Sequence, residues 1–193
     1  MHGIINRGLQ NFVLNIYGND VWEDVCADAG VTYNNFETML TYDDIITEQV
    51  LDAIGGAVNR TRSDILEDFG TFIVSEHCSA SVRKLLRLGG ETFVEFLHSL
   101  EDVYDRVQIA IPDLETPTMR LKVKSKQEYV LRYEFYKCGY GAVFLGLLRA
   151  MADDYGSLVT INHDSRNFAD VDKDIFYIHV FENRWTDDTV RVA

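Results

Sequence analysis

The stretch 92-TFVEFLHSLEDVYDRVQIAIP-112 sets the fold. Its apolar residues stand at Phe93, Phe96, Leu97, Leu100, Val103, Tyr104, Val107, Ala110 and Ile111. That i, i+3, i+4, i+7 rhythm predicts one long helix with a single buried face, stopped at Pro112. Tyr104 falls in the middle of the face, where an aliphatic side chain is the ordinary choice. Beyond Pro117 the period drops from 3.6 to two.

On the upstream side every patterned segment is helical. Ile4, Ile5, Leu9, Phe12, Val13 and Ile16 form one stripe that ends at Gly18. Asn19 or Asp20 can cap a short helix through VWEDVCADAG, and Thr41 to Asp44 opens DIITEQVLDAIGGAV. Thr61 or Ser63 can cap DILEDFGTFIVSEH, and SVRKLLRLG supplies a shorter helix before the long one. On the downstream side TMRLKVK, EYVLRYEFYKCG, SLVTINHD and DIFYIHVFE read as strands, with GAVFLGLLRAMADDYG a helix between the second and third. The expected class is α+β: a helical N-terminal part, then a four-stranded antiparallel sheet with a helix inserted and lying on one face. No polar or Pro/Gly-rich break divides the chain. Residues 1–193 are therefore expected to form one unit, with a helical subdomain over about 1–60 and a pocket-and-sheet subdomain over about 61–185.

Composition narrows the function classes. The 193 residues carry a formal charge of −13, which opposes nucleic acid and anionic membranes as partners, since both recruit Lys/Arg excess. No apolar run reaches the roughly 18 residues of a membrane span, and the N-terminus has no secretory signal pattern, so a cytoplasmic location is expected. The three cysteines, Cys26, Cys78 and Cys138, form no CxxC pair and read as separate reduced thiols.

Enzyme signatures are missing. No glycine loop follows a strand, and there is neither a G-x-S-x-G elbow nor an H-E-x-x-H pair. The histidines at 2, 77, 98, 163 and 179 have no helical ligand spacing. His98 lies off the apolar face and is expected in solvent. His77 beside Cys78 offers too few ligands for a metal. Asp43-Asp44, Asp153-Asp154 and Asp187-Asp188 are sequence neighbours whose side chains diverge. A helix start, a helix end and a terminal turn account for them. No catalytic residue is expected.

The opening MHGIINRGLQNFVLNIYGNDVWEDV, the Tyr42-Asp43-Asp44 triplet, Phe69-Gly70 in the fourth helix and FLHSLEDVYDRVQIAIPDLETPTMRL occur in an order and spacing that resemble the haem nitric oxide/oxygen-binding (H-NOX) domains. That family includes the sensory domain of soluble guanylate cyclase. The resemblance implies a sensor that signals to a separate protein, typically a histidine kinase or a cyclic-dinucleotide enzyme. It also implies a proximal histidine eight residues before a proline, and a Tyr-x-Ser-x-Arg clamp for the haem propionates at the end of the second strand. Here the residue eight before Pro112 is Tyr104. The clamp reads Tyr133, Phe135, Lys137.

Three outcomes are open from these residues. Haem is retained with Tyr104 as its ligand, which requires phenolate and hence ferric iron, because a free phenol has a pKa of about 10. Lysine at 137 lacks the bidentate fork of arginine, and Phe135 donates nothing, so propionates would be held weakly. Alternatively haem is absent, and Tyr104 and Phe135 fill the pocket or line it for another apolar small molecule. Or a different histidine takes over: His98 stands about 120° around the helix from Tyr104, and His77 has no position assigned by sequence.

Overall fold

The computed structural model describes residues 1–32, 35–75, 88–137, 139–168 and 171–181. The expected SVRKLLRLG helix, His77, Cys78, Cys138 and Asp187-Asp188 lie outside them. Helices α1 (Gly3–Ile16), α2 (Asn19–Asp28), α3 (Asp44–Val58) and α4 (Arg62–Val74) come first. Then follow α5 (Phe93–Ser99), a 3₁₀ turn (Leu100–Asp102) and α6 (Val103–Ala110). The sheet comprises β1 (Thr118–Val123), β2 (Glu128–Phe135), β3 (Val159–Phe168) and β4 (Val171–Val180), with α7 (Gly141–Asp154) between β2 and β3. Strand order is β1-β2-β4-β3 and every pairing is antiparallel. The architecture is α+β, as the change of period implies.

Cap chemistry explains where the helices begin. Asp43 accepts from the Ile45 amide, and Thr61, the earlier of two candidates, accepts from the Asp64 amide. His2 caps α1 through Nδ1, a role its residue type does not advertise. α2 starts at Asn19 after Gly18 (φ 91°), with no side-chain cap. At the end of α3 Asn59 takes the left-handed conformation that asparagine tolerates.

One apolar core runs through both halves. Leu9, Phe12 and Val13 of α1 and Leu51 and Ile54 of α3 meet Ile65, Leu66 and Phe69 of α4. Leu148 and Met151 of α7 continue it onto Leu131, Phe176 and Ile178 of the sheet's inner face. α4 and α7 cross with backbones almost touching. A Cβ on Gly70 would fall far inside contact distance of the Val143 carbonyl, and one on Gly146 would do the same at the Glu67 carbonyl.

The long helix differs from its expected form. Phe93, Phe96, Leu97 and Leu100 are buried as the periodicity requires, but no described side chain of α6 is. The 3₁₀ turn between them advances about 120° per residue in place of about 100°. Three such residues rotate everything downstream by about 60°. Tyr104 leaves the core face and is 43% exposed.

Candidate functional site

The last residues of β2 alternate inward and outward. Tyr133 and Phe135 point into the core, 4% and 9% exposed, and the chain then turns so that Lys137 is also withdrawn, at 9%. Tyr133 sits among rings: Phe135 at 6.3 Å, Phe144 of α7 at 5.4 Å and Phe176 of β4 at 6.3 Å between centroids. Phe135 continues the cluster to Tyr136 at 4.9 Å and Tyr140 at 6.0 Å. Such offset and edge contacts are the favourable aromatic geometries. Burial and the nearby Glu48 carboxylate push the Tyr140 phenol well above its ordinary pKa, so it stays protonated.

The Lys137 ammonium reaches across the molecule to the Asp44 carboxylate at the start of α3, and lies 5.0 Å from the centre of the Tyr136 ring. Asp44 also accepts from the Met1 amino group, which donates in addition to the Tyr42 carbonyl at 2.7 Å. Hydrogen bonding from Lys137, then from the Met1 amine, holds the Asp44 carboxyl below the usual carboxylate pKa. Lys137 is thus tied to the helical front part by an ion pair within the protein.

A second polar pair lies one row along the inner face of the sheet. Asp174 is directly opposite Tyr133 and only 1% exposed. Its Oδ1 is 2.6 Å from His163 Nε2, and the His163 ring stacks on Phe176 at 4.7 Å, with 12° between planes. The other oxygen, Oδ2, presses on Gly141 at the head of α7, where any Cβ would collide with it. The sequence held a signal for this pair: Asp174 shares period two with Phe176 and Ile178, so its carboxylate had to face inward. For Asp44 there was no such signal beyond its place as a helix opener.

Of the residues singled out from sequence, the structure brings Tyr133, Phe135 and Lys137 together along β2 and leaves Tyr104 apart. Tyr104 makes no ring contact with the described cluster, and Pro112 is exposed just past the end of α6. His98 is exposed, with its ring edge toward Tyr129 at 6.3 Å. His2 caps a helix, His163 holds Asp174, and His179 packs on Phe181 at 4.5 Å. Among the described residues no group of three His, Cys, Asp or Glu is placed to hold a metal.

The comparisons with known proteins bear on this geometry. The family model described as haem-NO-binding matches residues 2–163. The chain belongs to that family. The family takes its description from haem and nitric oxide binding. Soluble guanylate cyclase 89Da of Drosophila melanogaster is 23% identical over 158 residues, covering 82% of this chain and 24% of the cyclase. Soluble guanylate cyclase gcy-31 of Caenorhabditis elegans is 21% identical over 170 residues, covering 85% and 24%. The chain therefore spans about a quarter of the length of these relatives. Among solved structures, an H-NOX protein from S. oneidensis in the Fe(II)NO ligation state superposes with a TM-score of 0.79 at 18% identity, covering 94% of this chain and 100% of that one. A doubly substituted Tt H-NOX gives 0.82 at 16%, covering 94% and 96%. Both share the fold.

Against the family's cofactor the residues of this chain do not fit. Lys137 spends its charge on Asp44, Phe135 has no donor, and Tyr133 is enclosed by other rings. Tyr104, where the resemblance would put the iron ligand, is 43% open to solvent. A histidine-ligated haem needs a neutral imidazole over the iron and free donors for two carboxylates, and the described residues assemble neither.

Proposed function

We infer that this chain is a sensory domain that reports to a separate protein and works without the usual histidine-ligated haem. The observation that carries the reading is the Lys137–Asp44 pair, in which a carboxylate of the protein occupies the cation at the clamp position. The aromatic cluster around Phe135 and the outward turn of Tyr104 support it. By likeness to the family the partner is a signalling enzyme, such as a histidine kinase, a cyclic-dinucleotide enzyme or a cyclase. The domain itself is regulatory, not catalytic, and acts in the cytoplasm. The front part, about residues 1–60, and the remainder, about 61–185, are the two bodies that Lys137 and Asp44 join. Residues 92–111 are the element whose position the signal changes. Whatever biases that element must bind its two positions with different affinity.

The absorption spectrum of protein purified from haem-supplemented cells, followed by titration with hemin, tests this reading. The expected result is no Soret band on purification and no saturable uptake. A Soret band with a phenolate charge-transfer band, both lost in Tyr104→Phe, overturns it in favour of a ferric haem held by Tyr104. A Soret band lost on replacing a histidine overturns it in favour of an imidazole ligand from elsewhere in the chain.

A further inference from the structure

A chain of net charge −13 nevertheless keeps one face of its sheet basic over β1 and the middle of β2. The register places Arg120 of β1 directly opposite Arg132 of β2, and Lys122 opposite Val130. Both arginines and Lys122 are exposed, on the side of the sheet away from α7 and the core. Like charges directly opposite one another on adjacent strands are destabilising unless something neutralises them. Among the described residues no carboxylate pairs with Arg120, Lys122 or Arg132. The nearest ion pair on this face, Lys173 with Glu134 at 3.4 Å, occupies a neighbouring row. Beside the three cations runs an apolar strip: Val130 faces Tyr177, which is 43% exposed, and Arg132 faces Ile175.

We propose that this outer sheet face is the docking surface for an acidic amphipathic helix of a partner protein. The charge pattern selects the sign, and the Tyr177–Val130–Ile175 strip supplies the apolar anchor that interface centres use. The dimensions select a helix. The three strands β1, β2 and β4 span about 10 Å and six residues of each run about 20 Å, room for one helix of about 10 Å diameter over three to four turns. That footprint is smaller than a standard interface of about 800 Å² per partner, so the contact is a transient one. The overall negative charge works against an extended polyanion. Only charges within a Debye length of about 8 Å sense the basic face more than the acidic remainder. A short acidic helix meets that condition, and a phosphate chain or anionic bilayer, which projects charge past the edge of the sheet, does not.

This surface rests on the reading of a domain that signals through another protein. NMR titration of the full labelled chain tests it. The probe is an 18-residue helical peptide with Glu along one flank and Leu along the adjoining face; the control has Lys for every Glu. Expected are shifts confined to amides of 118–123, 128–135 and 173–178, with affinity falling at least tenfold between 50 and 200 mM NaCl. Arg120→Glu/Arg132→Glu is expected to weaken binding at least tenfold, and Arg120→Thr/Arg132→Thr to weaken it less. Shifts elsewhere, equal binding of the Lys peptide, or indifference to both double variants overturn the proposal. So does tighter binding of a twelve-nucleotide oligouridylate or of phosphatidylserine vesicles at the same amides. A salt-sensitive dimer in sedimentation that Arg120→Glu/Arg132→Glu abolishes overturns it in favour of a second copy of the chain. The hemin titration reads the pocket alone, so a failure on this face and a failure of the haem-free reading are seen separately.

Discussion

Asp44→Asn and Lys137→Met remove opposite ends of one ion pair, and the structure makes the two losses unequal. Lys137 is 9% exposed, whereas the Asp44 side chain is 53% exposed. Removing the aspartate charge leaves an ammonium out of water that faces a neutral amide and the Tyr136 ring. Breaking a fully buried pair in this way costs about 3–5 kcal/mol. Water still reaches Asp44, so the discounted figure is about 2 kcal/mol. Removing the lysine charge leaves a carboxylate that is half in solvent and keeps the Met1 amine. That loss resembles an exposed pair and costs at most about 1 kcal/mol. With Lys137 already methionine, Asp44→Asn adds little, so the double variant matches Lys137→Met and the cycle shows a coupling of about 2 kcal/mol. Urea unfolding reads this directly: with a slope of about 2 kcal/mol/M the midpoint drops by about 1 M in Asp44→Asn and by less than half of that in Lys137→Met. The sign with pH follows from the lowered Asp44 pKa. Its contribution is present above the unfolded carboxylate value of about 4 and is lost as pH falls through the lower folded value. Wild type and Asp44→Asn therefore converge as pH falls below about 4. Equal losses in the two single variants, or additivity in the double, would refute the account of Lys137 as a buried cation held by a half-exposed partner.

Other perturbations have equally definite outcomes. Gly70→Ala gains about 1 kcal/mol of helix propensity but drives a methyl into the Val143 carbonyl, so it should lower stability by about 3 kcal/mol in the same urea assay. Gly56→Ala in α3, where nothing lies within 4 Å of the added methyl, should raise stability by up to about 1 kcal/mol. His163→Phe keeps the ring on Phe176 but takes the donor from a carboxyl group that is 1% exposed, and should cost about 2 kcal/mol, with Asp174→Asn in addition recovering part of it.

What the sequence disclosed and what it withheld divide along range of interaction. Helix starts at Asp44 and Arg62 were legible because a cap acts over three residues, and strands β1 to β4 because alternation is local. Tyr104 was misplaced because periodicity extrapolates a helix at constant twist. The 3₁₀ turn is fixed in part by a contact that periodicity ignores, the Leu121 amide of β1 donating to Glu101 Oε1 at 3.1 Å across 20 residues. At the candidate site Phe135 and Lys137 were singled out by the resemblance, which would put serine and arginine there. The consequence was not visible, because Lys137 finds its carboxylate 93 residues earlier in the chain. The same separation bears on function. Here an ion pair within the protein adds to the core that both parts share, so the proposed movement of residues 92–111 must work against, or around, the hold of Asp44 on Lys137. Released protein, made by Asp44→Asn, should therefore show the larger hydrogen-exchange change in that segment. Unchanged exchange there would mean the pair fastens the sheet end alone and plays no part in signalling.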